Sequence, residues 1–232
     1  MEGLFVSSAG IITLILLWIR RKRYELSFKM IVFMILGPGM LGFFGAVFAA
    51  KLAYDSWAGF RFYGKPLFLL LGTYATAKWH KCDNEKLLNF FVPADLGALA
   101  FMKLGCLTSG CCAGVLYEVS AGRCARFPSQ LVEFVAALLM LAVMLLMEHK
   151  QLNCRVRYYY YMIMYGFLRF VFECLRQSKG RSIDFKLFEL SVGHLFCVGT
   201  IIVGVLMLLV IHKQSKKQRA NIVQNPSGKP LA

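Results

Sequence analysis

Arg169 and Glu173 stand four residues apart in Tyr165-Gly166-Phe167-Leu168-Arg169-Phe170-Val171-Phe172-Glu173-Cys174-Leu175-Arg176, an otherwise apolar stretch. An arginine at the centre of a membrane helix costs ~2.5–3.5 kcal/mol even on the lenient insertion scale, so such a residue faces a polar cavity and marks a site. At about 100° per residue, Tyr158, Tyr165, Arg169, Glu173 and Arg176 fall within roughly a quarter of the helix circumference. That face can hold an anion, because a guanidinium meets phosphate or carboxylate as a planar fork.

Other residues with chemistry lie near helix ends. Lys103 sits in a stretch with Gly105, Gly110 and Gly114, small residues that let helices approach or leave room for a ligand. Phe127-Pro128-Ser129-Gln130-Leu131-Val132-Glu133 reads as a helix start, with proline entering and Gln130 and Glu133 on neighbouring faces. Ser129 and Gln130 read equally well as a cap that solvates the helix end. Gly37-Pro38-Gly39 predicts a kink. His194 reads as a satisfied polar residue on a helix face. Of the eight cysteines, Cys106, Cys111, Cys112, Cys174 and Cys197 fall in predicted spans, where thiols pack as small apolar groups. Cys106-x4-Cys111-Cys112 with Cys124 lacks the usual zinc spacing, so no metal site is expected.

The elements that must position these residues follow from composition. With 58% hydrophobic and 17% charged residues in 232, and a mean hydropathy of +0.59, the chain reads as an all-α polytopic membrane protein. Apolar runs at 4–19, 30–50, 66–79, 91–115, 129–147, 157–175 and 187–211 predict seven transmembrane helices. One set of alternate connections carries 16 Lys and Arg and the other 9. This asymmetry places the N-terminus outside and the C-terminus in the cytoplasm. The +15 net charge follows that topology and lies beside helix ends, so no nucleic-acid partner is expected. The first run lacks a basic leader and precedes Arg20-Arg21-Lys22-Arg23, which predicts a retained span. Residues 1–212 are expected to form one transmembrane domain, and 213–232 a polar, disordered cytoplasmic tail.

Taken in order, these segments resemble the bacterial prolipoprotein diacylglyceryl transferase family from about Gly45 to Gly204. The family's Tyr-Gly-x-x-Arg-x-x-x-Glu-x-x-Arg run is present as Tyr165, Gly166, Arg169, Glu173 and Arg176. Pro128-Ser129-Gln130-Leu131-x-Glu133 matches its Pro-Ser-Gln-Leu-Tyr-Glu, Ala94-Asp95-Leu96 the approach to its glycine-rich span, and Leu190-Ser191 the opening of its last helix. The central Gly-Arg-x-Gly-Asn-Phe-x-Asn-x-Glu-x-x-Gly pattern departs. Here Lys103 replaces the arginine, and Cys106 and Cys111 replace an asparagine and the glutamate. Tyr63 stands for the histidine of Phe-His-Gly-Gly, and Lys51 for a usual arginine.

The resemblance implies a bacterial inner-membrane enzyme that moves the diacylglyceryl group of phosphatidylglycerol onto the lipobox cysteine thiol of prolipoproteins, without metal or organic cofactor. Its catalytic set would be Arg169, Lys103, Tyr63 and Glu173. Tyr165, Arg176, Gln130, Glu133, Lys51, Gly105 and Gly114 would bind substrate. Two roles stay open: Glu173 as proton acceptor or as orienter of Arg169, and Lys103 as headgroup cation or as a structural residue that snorkels or pairs with Asp95. The alternatives are a non-catalytic lipid-binding or transport protein and a transferase with another lipid donor or acceptor.

Overall fold

The computed structural model describes residues 2–54, 65–110, 114–120, 123–175 and 192–224. Its helices are α1 (Glu2–Arg21), α2 (Phe28–Met34), α3 (Met40–Tyr54), α4 (Lys65–His80), α5 (Asn84–Ser109), α6 (Ser129–His149), α7 (Cys154–Cys174) and α8 (Val192–Gln224). Strands β1 (Leu116–Ser120) and β2 (Arg123–Arg126) pair antiparallel between α5 and α6. Among the described residues, helix thus forms most of each predicted run. Four stretches of the described residues are long and apolar enough to cross a bilayer: Phe28–Phe48, Asn84–Ser109, Ser129–His149 and Val192–Lys216. Large apolar side chains such as Ile15, Phe44, Leu139 and Leu206 face outward, as expected where lipid is the solvent.

Between α2 and α3 the chain stays helical through a π turn, Ile35–Gly39, in which the Met40 N–H donates to Ile35 O five residues back. Pro38 has no N–H, and the widened turn absorbs that loss. The predicted kink is therefore a π bulge within one continuous stretch.

α5 is the central element. Leu87 to Gly97 are buried on every side, so this part of the helix packs against neighbours all round. Pro93 lies within it and cannot donate to the Asn89 carbonyl one turn back. Arg20 of α1 supplies the missing donor: its Nη2 donates to Asn89 O at 3.0 Å, and its Nε donates to the next carbonyl, Phe90 O, at 3.3 Å. The same guanidinium reaches Glu148 Oε2 at the end of α6, at 2.7 Å. Arg23 Nε lies 3.0 Å from Glu148 Oε1, and Arg157 Nη1 of α7 lies 3.7 Å from Oε2. One buried carboxylate thus gathers three arginines and ties α1, α6 and α7 to α5. Burial raises the pKa of the Tyr24 phenol beside this cluster, opposed by nearby Arg20.

α5 is shorter at its C-terminal end than the predicted 91–115. Gly110 takes a left-handed conformation at φ 69°, and the Thr108 and Ser109 hydroxyls donate back to Gly105 O. A glycine in that conformation ends a helix at little steric cost. Gly114 consequently lies outside the helix, where its N–H donates to Phe127 O at 3.1 Å and Val115 N–H donates to Leu175 O at 3.0 Å. A Cβ at Gly114 would meet Phe127 O at 2.6 Å. Close approach, the general role expected of this glycine, is what it provides, but to a hairpin and the end of α7.

α7 and α8 run antiparallel, and glycines set their spacing. A Cβ on Gly166 would sit 2.7 Å from Ile201 Cγ1 and 3.0 Å from Cys197 O. Gly166→Leu is therefore expected to separate the helices and destabilise the protein by ~1–3 kcal/mol, the range for overpacking a filled contact. Thermal unfolding in detergent checks this, with Gly199→Leu, which has open space, as the comparison.

Candidate active site

The predicted polar face of α7 turns inward. Tyr158, Tyr165 and Arg169 are buried, and Tyr161 joins them, its ring centroid 5.7 Å from those of both Tyr158 and Tyr165. Tyr158 donates to Pro66 O at 2.8 Å, anchoring this tyrosine column to α4. Arg169 ends it. Its Nη1 donates to Glu133 Oε2 at 2.9 Å, and its Nη2 lies 3.8 Å from Glu173 Oε2.

Glu133 Oε2 also pairs with Lys103 Nζ, so two cations from α5 and α7 meet on one carboxylate oxygen of α6. All three side chains are about 95% buried. This overturns the expected alternative pairing of Lys103 with Asp95. Asp95 pairs instead with Lys65 of α4, because Asp95 lies eight residues before Lys103 on α5, roughly 12 Å along the axis. Glu173 is the longer-range partner of Arg169, consistent with an electrostatic orienting role at 3.8 Å, while the hydrogen-bonded acid is Glu133 from another helix. Sequence spacing exposes i,i+4 partners and hides those across helices.

A cleft of about 20 Å³ lies against this cluster, lined by Leu99, Glu133, Met140, Tyr165, Arg169 and Phe172 among others. That is room for about one water. Apolar walls around two cations and two acids make a low-dielectric pocket in which any exchange of anionic partners carries large energies.

Of the remaining site expectations, Gln130 is buried one turn before Glu133. Ser129 is fully buried with it, which corrects the reading that these two merely solvate a helix end. Gly105 is buried in the last turns of α5. Lys51 lies half-buried in the last turn of α3 and does not line the cleft. Tyr63, Arg176, Cys111 and Cys112 lie outside the described residues. His194 opens α8, where its Nε2 lies 3.3 Å from Cys174 Sγ and its ring meets Phe170 edge-on.

The model of the prolipoprotein diacylglyceryl transferase family matches residues 3–210. The chain belongs to this family. A comparison with curated proteins finds no match. As a member of this transferase family, the protein works in lipoprotein biosynthesis in a membrane context, with a lipid and a prolipoprotein as substrates. The match covers every helix that shapes the Lys103–Glu133–Arg169 cluster.

Proposed function

We propose that this transferase takes the diacylglyceryl group from phosphatidylglycerol and places it on the lipobox cysteine thiol of prolipoproteins, in a bacterial plasma membrane. The observation that carries the reading is the convergence of Lys103 and Arg169 on a single oxygen of Glu133. Two cations held 95% buried on an oxygen form an anion site whose occupant is the protein's own carboxylate.

In this reading the lipid phosphate replaces the Glu133 carboxylate, and the cleft widens as Glu133 withdraws. Arg169 grips the phosphate as a fork and Lys103 as a point charge, both offsetting charge that grows on the departing oxygen. The acceptor sulfur attacks the glyceryl carbon that carries the phosphate ester. A C–S bond forms, the C–O bond breaks, and glycerol phosphate leaves. A thiol of ordinary pKa near ~8.5 is only a few per cent thiolate at neutral pH, so a proton acceptor speeds the step. Glu133, released from its cations, takes that proton, and Glu173 keeps Arg169 in place. Tyr165 and Gln130 flank the lipid, Gly105 leaves room beside it, Gly114 lets the chain after α5 pack closely at that end of the site, and Lys51 and Arg176 steer the headgroup at the rim. Tyr63 serves as a further proton acceptor.

Expression of the chain in cells depleted of their own diacylglyceryl transferase tests this, with the mass of a reporter lipoprotein as readout. A diacylglyceryl increment is expected. An unmodified reporter beside inserted protein would overturn the reading in favour of a lipid-binding module.

The orientation belongs to the same proposal: seven spans, the Arg169 end outside, and the Arg20 end in the cytoplasm, as the 16-to-9 distribution of basic residues supports. In a cysteine-free background, Glu118→Cys on β1 is expected to react with an impermeant thiol reagent in intact cells, and Lys22→Cys only after lysis. The reverse pattern would invert the topology.

A further inference from the structure

We propose that the groove between α7 and α8, at the opposite end of these helices from Arg169, is a binding site for an anionic phospholipid. This inference does not rest on the transferase reading.

The groove begins where the helices part. At Gly204 they are in tight contact, since a Cβ there would sit 3.1 Å from Tyr159 O and 2.9 Å from Ile163 Cγ1. One residue further on, at Val205, a cavity of about 410 Å³ opens and runs to Ser215. Ten residues of helix span about 15 Å, half of a ~30 Å hydrocarbon core and so one leaflet.

Its lining is graded along that length. Val205, Leu208 and Leu209 line the deep part, with Tyr160 of α7 facing them. Asn153, His212 and Ser215 gather at the outer end. That order of apolar wall and polar mouth fits an acyl chain attached to a headgroup. Lys213 and Lys216, both exposed, adjoin His212 and Ser215 of the mouth in sequence, and among the described residues no acid lines the groove. Glu148, the acid at the end of neighbouring α6, is engaged by Arg20, Arg23 and Arg157. The mouth therefore selects a negative headgroup, with each lysine near the surface contributing about fivefold in affinity.

The test is native mass spectrometry of the full chain in detergent, titrated with dioleoylphosphatidylglycerol or dioleoylphosphatidylcholine. It is run in the parent and in Arg169→Lys, which weakens binding at the other end of α7. In both, retention of the anionic lipid over the zwitterionic one is expected. Lys213→Gln with Lys216→Gln should weaken the anionic lipid about 20-fold. Val205→Trp with Leu209→Trp fills the groove with its charges intact and should lower the number of anionic lipids retained per chain by one, in the parent and in Arg169→Lys alike. Val205 and Leu209 are 41% and 59% exposed, so these changes leave the helix packing in place. Equal retention of the two lipids, or unchanged retention in either double variant, would overturn the site. Displacement of the lipid by inorganic phosphate would overturn it too, by showing an anion site without a chain-binding groove.

Discussion

Arg169→Lys is expected to lower phosphatidylglycerol turnover at least about tenfold while the protein still inserts and folds. Lysine keeps the charge that Glu133 and Glu173 need, so the buried cluster stays neutral. It loses the planar fork that meets two phosphate oxygens at once. A hydrogen bond to a charged group contributes ~1.5–3 kcal/mol, which is roughly ten- to a hundredfold per bond. Arg169→Ala removes the charge as well and leaves two acids with Lys103 alone, so a loss of a hundredfold or more is expected, with some loss of stability. Reporter lipidation measured against the amount of inserted protein separates the two effects. A folded Arg169→Lys variant that works at the parental rate would move the phosphate site toward Lys103.

The largest effect on stability is expected at Glu148, far from the proposed chemistry. Its carboxylate offsets Arg20, Arg23 and Arg157 together, and Arg20 also donates to the Asn89 carbonyl that Pro93 leaves without a donor on α5. Glu148→Ala would leave that excess of positive charge among packed helices. Removing one partner of a buried pair costs ~3–5 kcal/mol, because the remaining charge stays desolvated. An apparent melting temperature lower by on the order of 10 °C in detergent is expected. Glu118→Ala, at an exposed position on β1, should shift it little, within ~0.5 kcal/mol. Equal melting curves for the two variants would show that water reaches the arginines and that the cluster holds nothing together.

Membership of the transferase family and the all-helical membrane architecture were both legible in the sequence. Hydropathy reports where a backbone must satisfy its own hydrogen bonds, and an arginine within an apolar run is too costly to sit there without a partner. The Tyr165-Gly166-x2-Arg169-x3-Glu173 spacing therefore located the inward face of α7 directly. A kink at Gly37-Pro38-Gly39 was likewise expected from a missing donor, while its form as a π bulge came from the structure. What the sequence alone could not decide was partnership between helices. Lys103 chose Glu133 over Asp95, Asp95 chose Lys65, and Glu148 collected three arginines that read in sequence only as topology charges. Such choices depend on which helix faces meet and at what depth, and nothing local in the chain encodes them. The early end of α5 at Gly110 and the hairpin beyond it belong to the same class, because glycine permits a left-handed turn but only the contacts at Phe127 and Leu175 make the chain use it.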